Sequence, residues 1–135
     1  PVLVCTESDQ VSPDLGKHVA IGWNGSLEAS RAAALAMPLI ENAGQVTILT
    51  GGGSEHAASA EEFQDYLAVR GVTAGIVNFD VRGSAGRQLL SKSGEVGADL
   101  LVMGAYHESY ERETLLGGNS AVVVEEATIP VIMVH

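Results

Sequence analysis

Cysteine is nearly absent from this sequence: Cys5 is the single one among 135 residues, which rules out an internal disulfide and fits a reducing compartment. Cys5 itself reads as a small buried hydrophobe at a strand end. Aromatic residues are scarce at 4%, so a core must come from aliphatic side chains, and hydrophobic residues at 46% are enough to supply one. Basic residues are few: seven Lys and Arg stand against 17 Asp and Glu, and the resulting charge of −10 repels a nucleic-acid backbone or an anionic membrane. No apolar run approaches the roughly 20 residues needed to cross a bilayer, and no basic start precedes an apolar stretch as in a secretory leader. The expectation is a cytoplasmic protein with neither nucleic acid nor membrane as partner.

Catalytic motifs are missing too. There is no G-x-S-x-G nucleophile elbow, no Walker A lysine, and no identifiable general base, so no catalytic residue is expected and the chain reads as no enzyme, with slow ATP hydrolysis at most. His107 with Glu108 and Glu111 has the chemistry of a metal site, but His18, His56 and His135 are scattered, and a solvated polar loop is the preferred reading.

What is present centres on residues 100–120. Leu100, Leu101, Val102 and Met103 form an apolar run without periodicity, as in a strand covered on both faces, and Gly104 ends it. A polar loop follows, then Gly117, Gly118, Asn119 and Ser120 ahead of a helix predicted over 121–127. The first turn of that helix leaves amides of Gly118, Asn119 and Ser120 unpaired, and the helix dipole adds about half a positive charge, which suits a phosphate. The same glycines equally suit a strand-ending turn and a flexible loop.

Along the chain, residues 19–23 read as a strand, with Asn24, Gly25 and Ser26 as a turn and Ser26 as N-cap of an Ala-rich helix to about Ile40. Pro38 predicts a kink or an irregular last turn. A strand over 46–49 runs into Gly51, Gly52 and Gly53. Ser59 and Glu62 match a capping box, and Phe63, Tyr66 and Leu67 share a helical face before Gly71. A strand over 72–81, a helix over 84–97 and a last strand over 129–134 complete the pattern. Strands alternating with helices indicate a parallel sheet covered on both faces, with ligands beyond the carboxyl ends of the strands. That rule brings the loops at 24–26, 51–53 and 104–120 together.

The run Ile21, Gly22, Trp23, Asn24, Gly25, Ser26, the run from Gly97 to Gly104 and the closing Pro130, Val131 resemble the universal stress protein family, over residues 17–135. The resemblance implies an α/β fold of the adenine nucleotide alpha hydrolase-like, Rossmann-like kind: a three-layer, open, parallel five-stranded sheet of order 3-2-1-4-5. It also implies a stress-response module that binds ATP or another adenine nucleotide, with or without Mg²⁺. The family signature is Gly, two residues, Gly, nine residues, Gly, then Ser or Thr. Gly104 and Gly117 fit it, His107 stands at the second glycine and Gly118 at the hydroxyl position, with Ser120 as substitute donor. Asn24 replaces an aspartate. The implied binding residues are Asn24, Gly51, Gly104, His107, Gly117, Gly118, Asn119 and Ser120. His107, when protonated, adds a donor for an anion, whereas Glu108, Glu111 and Glu113 face only Arg112 and oppose a triphosphate unless a divalent cation intervenes. The alternative is a member that has lost the nucleotide and acts by dimerisation or as half of a tandem protein.

Residues 1–4 repeat the pattern of residues 130–134. Residues 1–16 are therefore expected to be a strand and linker left from a preceding domain, with 17–135 as the family domain and the chain as the C-terminal half of a tandem member. Because final strands pair across family dimers, a homodimer or pseudo-dimer through the C-terminal edge strand is expected.

Overall fold

Parallel strands buried on both faces need apolar side chains of both parities, and the central strands have them. A computed structural model describes residues 1–5, 13–51, 57–105 and 118–135. In chain order it contains β1 (Val2–Val4), β2 (His18–Gly22), α1 (Leu27–Asn42), β3 (Gln45–Thr50), α2 (Ala60–Val69), β4 (Ala74–Asn78), α3 (Ala85–Glu95), β5 (Leu100–Gly104), α4 (Gly118–Glu126) and β6 (Val131–Val134). Val19, Ile21, Val46, Ile48, Leu100 and Val102 pack with the buried faces of α1 and α2. Ala20, Leu49, Leu101 and Met103 form a second cluster with Leu89 of α3 and Val123 of α4. The result is an α/β fold with helices on both faces of one sheet.

The sheet has six strands in the order β1-β6-β5-β2-β3-β4, not the expected five in the order 3-2-1-4-5. The additional strand is β1, which pairs antiparallel with β6, while the β2–β3, β2–β5, β3–β4 and β5–β6 pairings are parallel. β6 is therefore an interior strand and β1 lies at the edge. Cys5, just past β1, is exposed rather than buried, because an edge strand has no second neighbour to cover it.

Helix boundaries follow capping chemistry. Ser26 Oγ accepts from Ala29 N at 3.1 Å and opens α1. Pro38 lies on the exposed side of α1 together with Ala34, whose carbonyl loses its helical partner to the proline, and the helix nevertheless continues to Asn42. The helix ends with Ala43 N donating to Ile40 O, a tightened i−3 contact at the C-cap that does not involve Pro38. The capping box of α2 is complete, with Glu62 N donating to Ser59 Oγ at 3.1 Å and Ser59 N donating to Glu62 Oε2 at 2.8 Å. Ser59→Ala should lower stability by about 1 kcal/mol in urea unfolding with no change in the slope.

β4 is shorter than the strand expected over 72–81, since Val72 N is taken by Leu67 O at the end of α2. At the amino ends of the strands, the Asp99 carboxylate accepts from Gly16 N at 2.7 Å and from His18 N at 3.1 Å, tying the start of β2 to that of β5. His18 is buried with its Nε2 2.8 Å from Thr47 Oγ1, a satisfied core histidine on the opposite side of the sheet from the strand ends discussed next.

Candidate functional site

Because β2, β3, β4, β5 and β6 run parallel, their carboxyl ends share one edge of the sheet. The chain goes from β2 outward through β3 and β4, then returns to place β5 on the other side of β2. The crevice between the ends of β2 and β5 is thus the topological switch point, where open α/β sheets bind ligands. Gly22 and Gly104 end the two strands that flank it.

Gly104 owes its place to packing. A Cβ there would lie 2.7 Å from Ala29 N, 2.7 Å from Glu28 C and 2.8 Å from Glu28 Cβ, so the first turn of α1 rests directly on the end of β5. At Gly22 an added Cβ would lie 2.8 Å from a methyl of Leu89, the end of a side chain that can yield, so that glycine is held less tightly than Gly104. Between β2 and α1, Asn24 is exposed and its Oδ1 accepts from Ser26 N at 3.1 Å, a local turn that places Ser26 as the cap. Gly25 has φ +72° and stands against residues 57 and 58, where a Cβ would come within 2.7 Å of Ala58 O. Trp23 fixes that approach: its Nε1 donates to Ala58 O at 2.9 Å, and its ring stacks on Phe63 with centroids 3.9 Å apart and planes 4° apart.

Gly51, after β3, is enclosed by the side chains of Val81 and Phe79, at 2.5 Å and 3.1 Å from an added Cβ. Its lack of a side chain lets the segment after β4 close over the end of β3.

α4 begins at Gly118, three residues earlier than the helix expected from Ala121, so residues 118–120 form its first turn. Ser120 is buried at 5% exposure. Asn119 is turned to α3: its Oδ1 accepts from Gly86 N at 3.2 Å, satisfying an amide in the first turn of that helix. The two first turns touch closely, and a Cβ on Gly86 would lie 2.5 Å from Asn119 O. At the other end of this contact the Arg87 guanidinium grips Glu126, with Nε to both carboxylate oxygens at 2.9 Å and Nη2 to Oε1 at 2.6 Å. That hydrogen-bonded guanidinium holds the Glu126 carboxyl below the usual carboxylate range.

The structure therefore brings Asn24 and Gly104 to the two strand ends at the crevice. It places Gly51 at the end of β3, next to β2, and Gly118, Asn119 and Ser120 in the first turn of α4. His107 and Gly117 lie outside the described residues, as do Glu108, Glu111, Arg112 and Glu113. Among the described residues no group of His, Cys, Asp and Glu could hold a metal ion. Sequence reasoning read Gly25 as a turn residue, without its close approach to Ala58, and missed Gly86. Gly86 sits inside a helical pattern, where a glycine without a cap role signals a close contact.

A family model described as the universal stress protein family matches residues 50–135. A universal stress protein from Archaeoglobus fulgidus superposes with TM-score 0.71 at 21% identity, covering 93% of this chain and 47% of that one. A universal stress protein in complex with cAMP is 27% identical, with TM-score 0.56, over 88% of this chain and 97% of the other. A universal stress protein family protein from Arabidopsis thaliana with AMP bound gives TM-score 0.55 at 20% identity, over 87% and 90%. A search of curated protein sequences finds no significant match.

Proposed function

Since this chain belongs to the universal stress protein family, we propose that it is a regulatory module of the stress response that binds an adenine nucleotide in the crevice between β2 and β5. What supports the reading is that Gly104 ends β5 beside β2 at the topological switch point, and that the next described element, α4, opens with Gly118, Asn119 and Ser120. The structural neighbours described with cAMP and with AMP bound support the ligand class.

The chemistry favours few phosphates. The described crevice residues supply backbone amides and hydroxyls rather than cations, and the chain carries a charge of −10. A monophosphate such as AMP needs only the α4 first turn and the hydroxyl of Ser120, whereas ATP would need Mg²⁺ to offset the carboxylates of residues 108–113. The roles assigned are phosphate donors for Gly104, Gly117, Gly118 and Ser120, an anion donor for protonated His107, and a turn-setting role for Asn24. The module works without catalysis, in the cytoplasm, as a homodimer or pseudo-dimer through its C-terminal strand or as one half of a tandem chain.

A second reading, a member that has lost nucleotide binding and acts through such contacts, is favoured by the commitment of Asn24 Oδ1 to Ser26, of Asn119 Oδ1 to Gly86, and of Gly51 to packing. The test is mass spectrometry of the denatured protein for co-purifying nucleotide, then calorimetric titration with AMP and with ATP plus Mg²⁺. Nucleotide binding lost in a Gly117→Val, Gly118→Val double variant that still folds supports the first reading. No nucleotide and no heat at millimolar ligand leave the second.

A further inference from the structure

Among the described residues at the strand ends and helix starts of the crevice, 22–28, 104–105 and 118–120, one side chain is ionisable, that of Glu28. It stands in the first turn of α1, two residues past the Ser26 cap, and is half-buried. Its place beside β5 is fixed by the contact at Gly104, where an added Cβ would lie 2.8 Å from Glu28 Cβ and 2.7 Å from Glu28 C. With carbon–carbon bonds of about 1.5 Å, that geometry keeps the Glu28 carboxyl carbon within about 7 Å of Gly104 Cα in every rotamer. A carboxylate in a first turn suits the helix, because it faces the positive end of the dipole. For an anion in the crevice the sign reverses: the same charge cancels what the start of α1 could offer, and the amides of the α4 first turn are left to hold the ligand against it.

We propose, resting on the crevice reading above, that Glu28 sets the charge the site accepts: it discriminates against phosphate groups with two or more negative charges and so favours a singly charged phosphodiester over a phosphomonoester. The physical basis is that repulsion grows in proportion to the charge on the ligand, while fit does not. At a separation of about 8 Å, each unit of negative charge lowers affinity roughly twofold at the dielectric constant of water and roughly thirtyfold at an effective value of about 20. No described cation at the crevice offsets this, since residues 22–28, 104–105 and 118–120 include no Lys, Arg or His. Glu28 therefore serves two opposed ends, supporting α1 and limiting the ligand.

The test is a charge series of adenosine, 3′,5′-cyclic AMP and AMP, which carry zero, one and about two negative charges at about pH 7.5, the second phosphate pKa being about 6. Affinities are measured by calorimetry at about 10 mM salt, where charges are screened only beyond roughly 30 Å. Glu28→Gln preserves the backbone and Cβ that meet Gly104 and removes the charge. Relative to the parent protein it should bind adenosine equally, cyclic AMP about threefold more tightly and AMP about tenfold more tightly. Glu28→Asp, which keeps the charge, should behave as the parent, and so should Glu125→Gln, which removes one charge from the last turn of α4. Glu28→Gln should at the same time unfold at slightly lower urea concentration, so that affinity rises as stability falls, a pairing that a merely structural Glu28 does not produce. An equal change for adenosine and AMP assigns Glu28 to packing and overturns the proposal, as does an unaltered AMP affinity in Glu28→Gln. Should adenosine bind too weakly to measure, equal gains for cyclic AMP and AMP overturn it in the same way, while graded gains uphold it. If neither protein binds any of the three at millimolar ligand, the crevice reading itself falls and this proposal with it.

Discussion

Gly104→Val should cost about 3 kcal/mol or more and, if the proposed crevice binds AMP, remove that binding together with stability. Local propensity argues the other way, since valine suits a buried strand better than glycine, by up to about 1 kcal/mol. The deciding fact is what the new Cβ meets: Ala29 N and Glu28 C, both at 2.7 Å and both backbone atoms of α1. A flexible side chain could yield, but a helix backbone yields only by moving the helix. α1 contributes Ala29, Ala32, Ala33, Ala36, Met37 and Ile40 to the core, so its displacement opens that face of the sheet. Against a typical total of 5–15 kcal/mol the loss is large, and the midpoint of thermal unfolding should fall by roughly 10 °C. Gly104→Ala should show a smaller loss in the same direction. A Val variant as stable as the parent would mean that α1 does not rest on β5 as described.

This example marks what could be read from the residues alone. The family signature singled out Gly104 as a phosphate-loop glycine, and the apolar run before it correctly announced a doubly covered strand. That the glycine also admits α1 depends on a contact 75 residues away in sequence, between positions 29 and 104, which no local pattern encodes. The capping box at Ser59 and Glu62 was readable because its whole mechanism lies within four residues. The sheet was misjudged by one strand: the repeat of residues 1–4 in residues 130–134 was visible, but whether that strand pairs with this chain's β6 depends on tertiary approach. At the site, Asn119 was expected to offer its backbone amide in the first turn of a helix; that its Oδ1 serves the first turn of a neighbouring helix depends on a contact 33 residues away, which the local pattern does not encode. Gly86, its partner, gave only the weak signal of a glycine within a helix.

That glycine yields the second large effect, with its own control inside the same helix. α3 contains Gly86 in its first turn and Gly94 in its last, where the roughly 0.5–1 kcal/mol cost of an interior glycine relative to alanine is an upper bound. Nothing lies within 4 Å of a Cβ added at Gly94, so Gly94→Ala should raise stability by up to about that amount. At Gly86 the added Cβ would stand 2.5 Å from Asn119 O and 3.2 Å from Asn119 Cα, again backbone atoms. Overpacking of this kind costs about 1–3 kcal/mol, enough to reverse the gain, so Gly86→Ala should destabilise and Gly86→Val should do so by about 3 kcal/mol. The strain falls on the first turn of α4, pushing Asn119 away from Gly86 N and shifting Gly118 and Ser120 with it. If that turn holds the phosphate, Gly86→Ala should weaken AMP binding at least tenfold at temperatures where the protein remains fully folded, while Gly94→Ala leaves binding unchanged. Equal and favourable stability changes at the two glycines, measured by urea unfolding, would refute the close contact of α3 with α4. Destabilisation at Gly86 with unaltered AMP affinity would keep the contact and remove the α4 first turn from the binding site.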